Sequence, residues 1–450
     1  MKREIASMLC TCLVVGLCGC GAEKEQSAAA STAGEISATE ESGTVQEDEL
    51  YLLSGETERG FYHMGEYQGN PRICFMDYES CEDIVLCSKP GCAHDTESCM
   101  ASPGEGKNIY FVYALRDGTL VYMESNEQVG VEGDQICLAD ADGSNHRVLA
   151  TMQEQQGYPN LLCADRENLY LMQTDYENQQ SQLIRVSLGD GTIEALWTMS
   201  NPDPQLLGTD GRNLIWESFS NNQEEIPPLT LTDDMTEEEV QQEEERYKAA
   251  MDAMVTEHRV YLLSVDTGEE QDLLTWSSLY GSQGKTVLWG PSRLYWMDCD
   301  EPANLHWVSQ DGGSGESAID WPEEILTPQY TDDRIIYLEQ MLGEEILLTV
   351  YGPWGKDLIK RYALEPGSGI LQEIPLQYIS NASERPVSIL GQTENALLVV
   401  FEEQPHTVEY IDPDGLPAQT LTFTYREGLI SKDDFLAGIP NYQEIRLLES

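Results

Sequence analysis

A short unit recurs along this chain: a polar turn followed at once by an apolar run of strand length. It occurs as Arg116-Asp-Gly-Thr-Leu-Val-Tyr-Met123, Asp165-Arg-Glu-Asn-Leu-Tyr-Leu-Met172 and Asp210-Gly-Arg-Asn-Leu-Ile-Trp216. It returns as Ser292-Arg-Leu-Tyr-Trp-Met297, Asp333-Arg-Ile-Ile-Tyr-Leu338 and Glu394-Asn-Ala-Leu-Leu-Val-Val400. A second unit alternates with it, a strand that runs into an Asp/Gly turn and then another strand. Examples are Ile136 to Gly143, Leu183 to Gly191, Val260 to Gly268, Leu305 to Gly312 and Val408 to Gly415. Short runs of aromatic and β-branched residues punctuated by Asp-Gly are hairpins. Aligned on Leu120, Leu169, Leu214, Leu294 and Ile335, the units are 49, 45, 80 and 41 residues apart. The 80-residue step holds an insertion, and a period near 45 built from four short strands is the size of a propeller blade.

These units predict an all-β chain: a β-propeller of seven blades, with six or eight as the neighbouring counts. The blades span 59–101, 108–152, 158–199, 204–276, 283–322, 326–375 and 385–424, with extra strand material in blade six around Glu345 to Tyr351. A pair of β-sandwiches would also space its strands evenly, but would not repeat turn plus strand as a unit. Two leftover strands, Glu49 to Leu53 and Glu444 to Leu448, could complete the first or last blade and close the ring, hiding the sheet edges that invite aggregation.

The first 19 residues have the order of a secretory signal: Lys2 and Arg3, an apolar run from Ile5 to Gly16, then Leu17-Cys18-Gly19-Cys20. That ending resembles the bacterial lipobox, with Cys18 a departure from the usual Ala or Ser. The resemblance implies lipidation of Cys20 and a protein held on the extracytoplasmic face of the cell membrane. Residues 20–48 are small and polar with almost nothing to bury, which suits a flexible tether, and 49–450 would form the propeller. The formal net charge is −55. Such a chain repels nucleic-acid phosphates and anionic lipid heads alike, so it is not expected to bind nucleic acid, and lipid would have to hold it to the membrane.

Five cysteines fall within residues 74–99, and four cluster residues stand in the order Cys87-x4-Cys92-x-His94-x4-Cys99. Three thiolates and one imidazole complete a tetrahedral set for a structural zinc, with no position left for water or substrate. Pro90-Gly91 would turn the chain so that Cys92 folds back toward Cys87. Disulfides are the competing reading for an exported chain, and Cys74 and Cys81 enlarge the possible pairings. A redox role has less behind it, since the cluster holds no Cys-x-x-Cys. Cys137, Cys163 and Cys299 sit within strand patterns and read as buried small apolar residues.

Leu86-Cys87-Ser-Lys-Pro-Gly-Cys92-Ala-His94 through Cys99 resembles a motif of lipoproteins from Gram-positive gut bacteria. There, Leu-Cys-x-Lys-Pro-x-Cys-x-His-x4-Cys follows the first propeller blade. Ile136 to Leu149, with its Asp140-x-Asp142-Gly143-Ser-Asn145 turn, is similar to the TolB-type propeller repeat. Both resemblances imply the fold, and neither carries an activity over.

Residues 217–257 interrupt the strand pattern of blade four. Thr236-Glu-Glu-Glu239 reads as a capping box, and Val240, Tyr247, Met251 and Met254 fall on one helical face, predicting a short acidic helix laid against the propeller. No catalytic residues can be chosen. Gly284-Lys285-Thr286 lacks the glycine a phosphate loop needs at Leu279, and neither a Gly-x-Ser-x-Gly nor a His-Glu-x-x-His occurs. The turn from Asp140 lacks the distal Glu of a calcium loop and reads as a hairpin. The expected role is a non-catalytic propeller that binds a small-molecule, glycan or protein partner at one mouth of the ring. The alternatives are a glycan-acting hydrolase or lyase on the same ring, and a metal or redox sensor.

Overall fold

The computed structural model describes residues 49–103, 107–126, 133–152, 160–175, 178, 180–199, 204–221, 226, 228–232, 235–279, 284–323, 325, 334–352, 358–380, 383–411 and 417–448. The expected signal segment, Cys20 and the whole of the expected tether lie outside them. Seven antiparallel sheets span 56–85, 107–151, 160–199, 205–279, 285–318, 335–373 and 388–444. Each runs its four strands in chain order, and the first strands of blades one and two, four and five, and five and six lie side by side. The chain is a seven-bladed β-propeller.

Burial explains why the strands read as unbroken apolar runs. Leu120 and Tyr122 pack in a cluster with Ile73 and Val85 of blade one, whereas Val121 and Met123 pack with Leu169 and Ile184 of blade three. A strand buried on both faces leaves no position for a polar side chain. The other interfaces follow the same rule. Trp216 meets Tyr170 between blades three and four, Trp289 meets Ile215 between four and five, and Leu348 meets Met297 between five and six. Val399 meets Leu347 between six and seven.

The aligned Leu120, Leu169, Leu214 and Leu294 all open second strands and are wholly buried. Ile335 does not belong with them, because it opens the first strand of blade six (Ile335–Leu342), and the equivalent second strand is Glu345–Tyr351. That segment is therefore not extra material. The additional piece is a hairpin, Gln377–Ser380 with Ser383–Pro386, between blades six and seven. The Val408 to Gly415 unit joins the second and third strands of blade seven, Ala396–Ile411 and Pro417–Ser431, rather than the third and fourth. A short apolar run after a turn looks alike wherever it falls in a blade, and only strand pairing tells the positions apart.

The leftover ends have different fates. Tyr51–Leu52 completes neither the first blade nor the last. It pairs along the inner edge of blade three (Tyr51 with Ala164, Leu52 with Cys163), while Leu50 N–H donates to Gly211 O of blade four. The other end does close the ring. Gln443–Glu444 is the fourth strand of blade seven, and the chain then crosses to the outer strand of blade one. There Asp83 N–H donates to Arg446 O at 2.9 Å, Arg446 N–H donates to Cys81 O at 2.9 Å, and the Arg446 guanidinium pairs with Glu82.

A buried carboxyl marks the same seam. Glu56 Oε1 accepts from the Tyr78 hydroxyl at 2.7 Å, Oε2 is buried without a partner, and burial pushes the group up to about 7. A carboxyl raised on folding favours the folded state most below its unfolded value, and that contribution is lost as pH rises through about 7. The raised value corresponds to about 3 kcal/mol, and partial exposure reduces it to about 1–2 kcal/mol. The melting temperature of Glu56→Gln should therefore exceed that of wild type at pH 8 and match it at pH 5. Equal differences at both pH values would contradict this origin.

The insertion in blade four is helical, as its sequence predicts. Helix α1 (Glu237–Asp252) opens with the Thr236/Glu239 capping box. Its packing is looser than expected. Val240, Tyr247 and Met251 are only half-buried, and of that stripe only Met254, past the helix end, is buried. The helix is instead tied to the extended segment before it, through Arg246 to Pro228 O and Thr230 N–H to Glu243.

Candidate metal centre and ring mouth

Blade one ends in the strand Glu82–Val85, and the chain then turns out of the sheet for the connection to blade two. Leu86, Cys99 and Ala101 are buried and pin both ends of this connection, with Ile73 N–H donating to Ala101 O. Between them the backbone makes two left-handed residues, Gly91 (φ 71°) and His94 (φ 59°). A β-carbon disfavours that region, so the conformation at His94 has to be held from outside. Arg72 holds it. Its guanidinium is buried and donates to His94 O at 2.9 Å, Thr96 O at 3.3 Å and Ser102 Oγ at 3.2 Å.

This frame brings together all four residues singled out by their spacing. The ligand atoms of Cys87, Cys92, His94 and Cys99 all lie within 4.8 Å of one another, and His94 Nδ1 is 3.4 Å from Cys99 Sγ. Tetrahedral zinc with sulfur ligands at about 2.3 Å needs separations of about 3.8 Å, within a small contraction of this arrangement. The eight cysteines among the described residues are free thiols. Burial pushes the Cys99 thiol up to about 12, and the neighbouring thiols add to it. At Cys87 burial acts in the same direction, but the backbone at Lys89 and Met100 and the thiols of Cys99 and Cys92 outweigh it and lower the group. Burial and the Arg72 charge hold His94 below its ordinary value, which keeps the imidazole neutral and able to ligate. The cluster can hold a metal.

The knuckle is also an inter-blade contact. The hairpin turn from Asp140 leans on it, with Ser88 Oγ donating to Asp142 at 3.3 Å. Gly143 (φ 76°) lies so close that a β-carbon there would fall 2.4 Å from Leu86 O. The oxygens of this turn serve the hairpin, with Asp140 accepting from Asn145 at 2.7 Å and Asp142 from Ser144 N–H at 2.9 Å. Cys74 and Cys81 are not among the four knuckle residues, and Cys81 packs with Met76, Leu398 and Ile445 at the ring seam. Cys137, Cys163 and Cys299 are buried as expected, the first two within strands and Cys299 just past the end of Arg293–Asp298.

Because the first strands all run the same way, their turns to the second strands gather at one end of the ring. A cleft of about 320 Å³ opens there, lined by Tyr51, Leu115, Arg116, Asp117, Asp165 and Arg166. The Arg116 guanidinium lies 4.2 Å from the centre of the Tyr51 ring. Both carboxylates are engaged in their own turns. Asp117 accepts from Thr119 N–H at 2.9 Å, while Asp165 accepts from Glu167 and Asn168 N–H and from the Tyr170 hydroxyl at 2.7 to 2.8 Å. Sequence reading missed this site, because Tyr51 reaches it from the far end of a segment that carries no motif.

Fold and site define the class: a seven-bladed propeller with a Cys/His knuckle after its first blade. No family model and no curated protein matches the sequence. Among solved structures, an oligogalacturonate lyase in complex with manganese aligns at 11% identity over 79% of this chain and 80% of its own, with a TM-score of 0.40. An acylaminoacyl peptidase aligns at 10% identity and a TM-score of 0.38 over 72% of this chain, which spans 58% of that protein's length. A protein from Lactobacillus plantarum aligns at 13% identity over 84% of this chain and 99% of its own, with a TM-score of 0.35.

Proposed function

We propose that this chain is a lipid-anchored propeller on the extracytoplasmic face of the cell membrane. It binds a small acidic ligand, such as an acidic glycan, at its mouth without transforming it. One observation carries the binding reading: an arginine–tyrosine stack lines the cleft, where Asp165 and one oxygen of Asp117 are held by turn hydrogen bonds. Glycoside hydrolysis needs a pair of carboxyl groups free to face the bond that breaks, and this cleft offers an aromatic ring and two arginines beside two turn-bound carboxylates instead. The cleft sets two arginines against two aspartates, a neutral balance in a chain with 25 basic and 80 acidic residues. The lipid anchor rests on the ending Leu17-Cys18-Gly19-Cys20.

The same reading assigns zinc to the knuckle, on the donor set of three sulfurs and one imidazole. Its ligands would leave no open position, so its role is structural: it fixes the connection between blades one and two.

Cys20→Ala should release the protein into the medium, and retention at the membrane would refute the anchor. Calorimetric titration of the released protein with acidic oligosaccharides should show binding that weakens at least tenfold in Arg116→Ala. Appearance of new reducing ends, or of absorbance from unsaturated uronates, would replace binding with the hydrolase or lyase reading.

A further inference from the structure

A second group of potential ligands lies at the seam between blades one and seven, on strands far apart in the chain. His63, Cys74 and Asp83 come from the second, third and fourth strands of blade one, and His63 and Cys74 are direct cross-strand partners. Their ligand atoms lie within 4.8 Å of one another. Cys74 is wholly buried, and the side chains of His63 and Asp83 are 13% and 7% exposed.

Hydrogen bonding fixes what the imidazole offers. His63 Nδ1 is 3.1 Å from Met64 O, and only an N–H can bond to a carbonyl oxygen, so Nδ1 carries hydrogen. Nε2 faces Asp83 Oδ1 from 3.0 Å, an ion pair when the ring carries a second proton and a pair of acceptors when it does not. Two acceptors at that distance need a cation between them, either a proton or a metal. A backbone carbonyl on the far nitrogen is the usual support of a metal-ligating histidine.

Blade seven supplies an independent sign. Glu427, from its third strand, is 5% exposed and feels the charges of His63 and Asp83, and its Oε2 is buried with no hydrogen-bond partner. Space beside the thiol is kept by Gly65, where a β-carbon would fall 2.7 Å from Cys74 Sγ and 3.5 Å from the His63 ring. A buried carboxylate oxygen without a donor is costly, and either a proton or a metal ion would satisfy it.

We propose that His63, Cys74 and Asp83 bind a divalent transition metal, zinc by donor type, and that Glu427, which lies outside that close group, moves onto the ion as the fourth ligand and so clasps blade seven to blade one. Imidazole and thiolate favour zinc over magnesium or calcium, and two carboxylates can complete a four-coordinate shell. The backbone places the clasp where the ring closes: Glu427 O accepts from Ile445 N–H, and Asp83 N–H donates to Arg446 O, both in the closing segment.

Elemental analysis of the full chain, solubilised in mild detergent and purified without chelator, tests this separately from the knuckle. Wild type should carry two equivalents of zinc, Cys92→Ser one, Asp83→Asn one, and the double variant less than a fifth of one. Cobalt loaded into Cys92→Ser should show the charge-transfer band of a single thiolate, about a third of the intensity expected for three. A single equivalent in wild type that Asp83→Asn leaves in place overturns the clasp. A single equivalent that Asp83→Asn removes and Cys92→Ser spares supports it and overturns the knuckle zinc; no zinc in wild type overturns both. Should Asp83→Asn fail to fold, Glu427→Gln of nearly equal shape serves in its place, with at least a tenfold loss of zinc affinity expected in competition with a chelator. Unchanged affinity in that variant would count against the clasp.

Discussion

Removal of everything from Gln443 onward should open the ring and lower the melting temperature by about 10 °C or more, with aggregation on heating. The closing segment adds the fourth strand of blade seven, where Gly428 pairs with Glu444, and three further backbone hydrogen bonds at Ile445, Arg446 and Asp83. It also buries Ile445 (2% exposed) against Met76 and Leu398. A buried isoleucine contributes about 2 kcal/mol and each hydrogen bond about 1 kcal/mol. The sum, about 5 kcal/mol or more, is a large part of an ordinary folding free energy. The loss also bares the outer strand of blade one, and an unpaired edge recruits other chains. Ile445→Ala, which leaves the backbone pairing intact, should cost about 3 kcal/mol and show proportionately less aggregation. Calorimetry of the three proteins decides the matter: a truncated chain that melts with wild type would mean that blade seven needs no clasp from this segment.

The second large effect concerns the knuckle. If zinc orders the connection from Cys87 to Cys99, a chelator should speed cleavage by a Glu-specific protease at Glu97 at least tenfold, and added zinc should restore protection. Structural zinc in small domains contributes about 10 kcal/mol of folding free energy, because the loop has little apolar surface of its own. Here Leu86, Cys99 and Ala101 anchor the ends in a core that exists without metal. The propeller should therefore melt within a few degrees of its normal temperature while the loop frays. Arg72→Leu should reproduce the fraying with zinc present, since His94 O, Thr96 O and Ser102 Oγ lose their shared donor. Cleavage at Glu97 at the same rate with and without chelator would remove zinc from the account of this loop.

Much of the architecture was readable before any coordinates, because a blade is a local object. Each is built from one stretch of 30 to 75 consecutive residues, and turns and alternating burial leave their mark within four to eight of them. The knuckle was readable for the same reason, its four ligands lying within 13 residues. The misreadings have a physical cause as well. Ile335 was aligned with second strands because a first strand buried at the axis has the same apolar look. Tyr51 and Leu52 were assigned to a terminal blade, when the edge they cover belongs to blade three.

By itself, then, the sequence determined what neighbours along the chain decide: the four-stranded period, the seven sheets, the capped helix in blade four and the Cys/His spacing. Tertiary structure alone decided which distant segments meet. Glu427 reaches the electrostatic field of His63, Arg446 pairs with Glu82, and Arg116 finds the ring of Tyr51. Closing a ring brings its two ends together whatever residues they carry, so no local pattern records the contact.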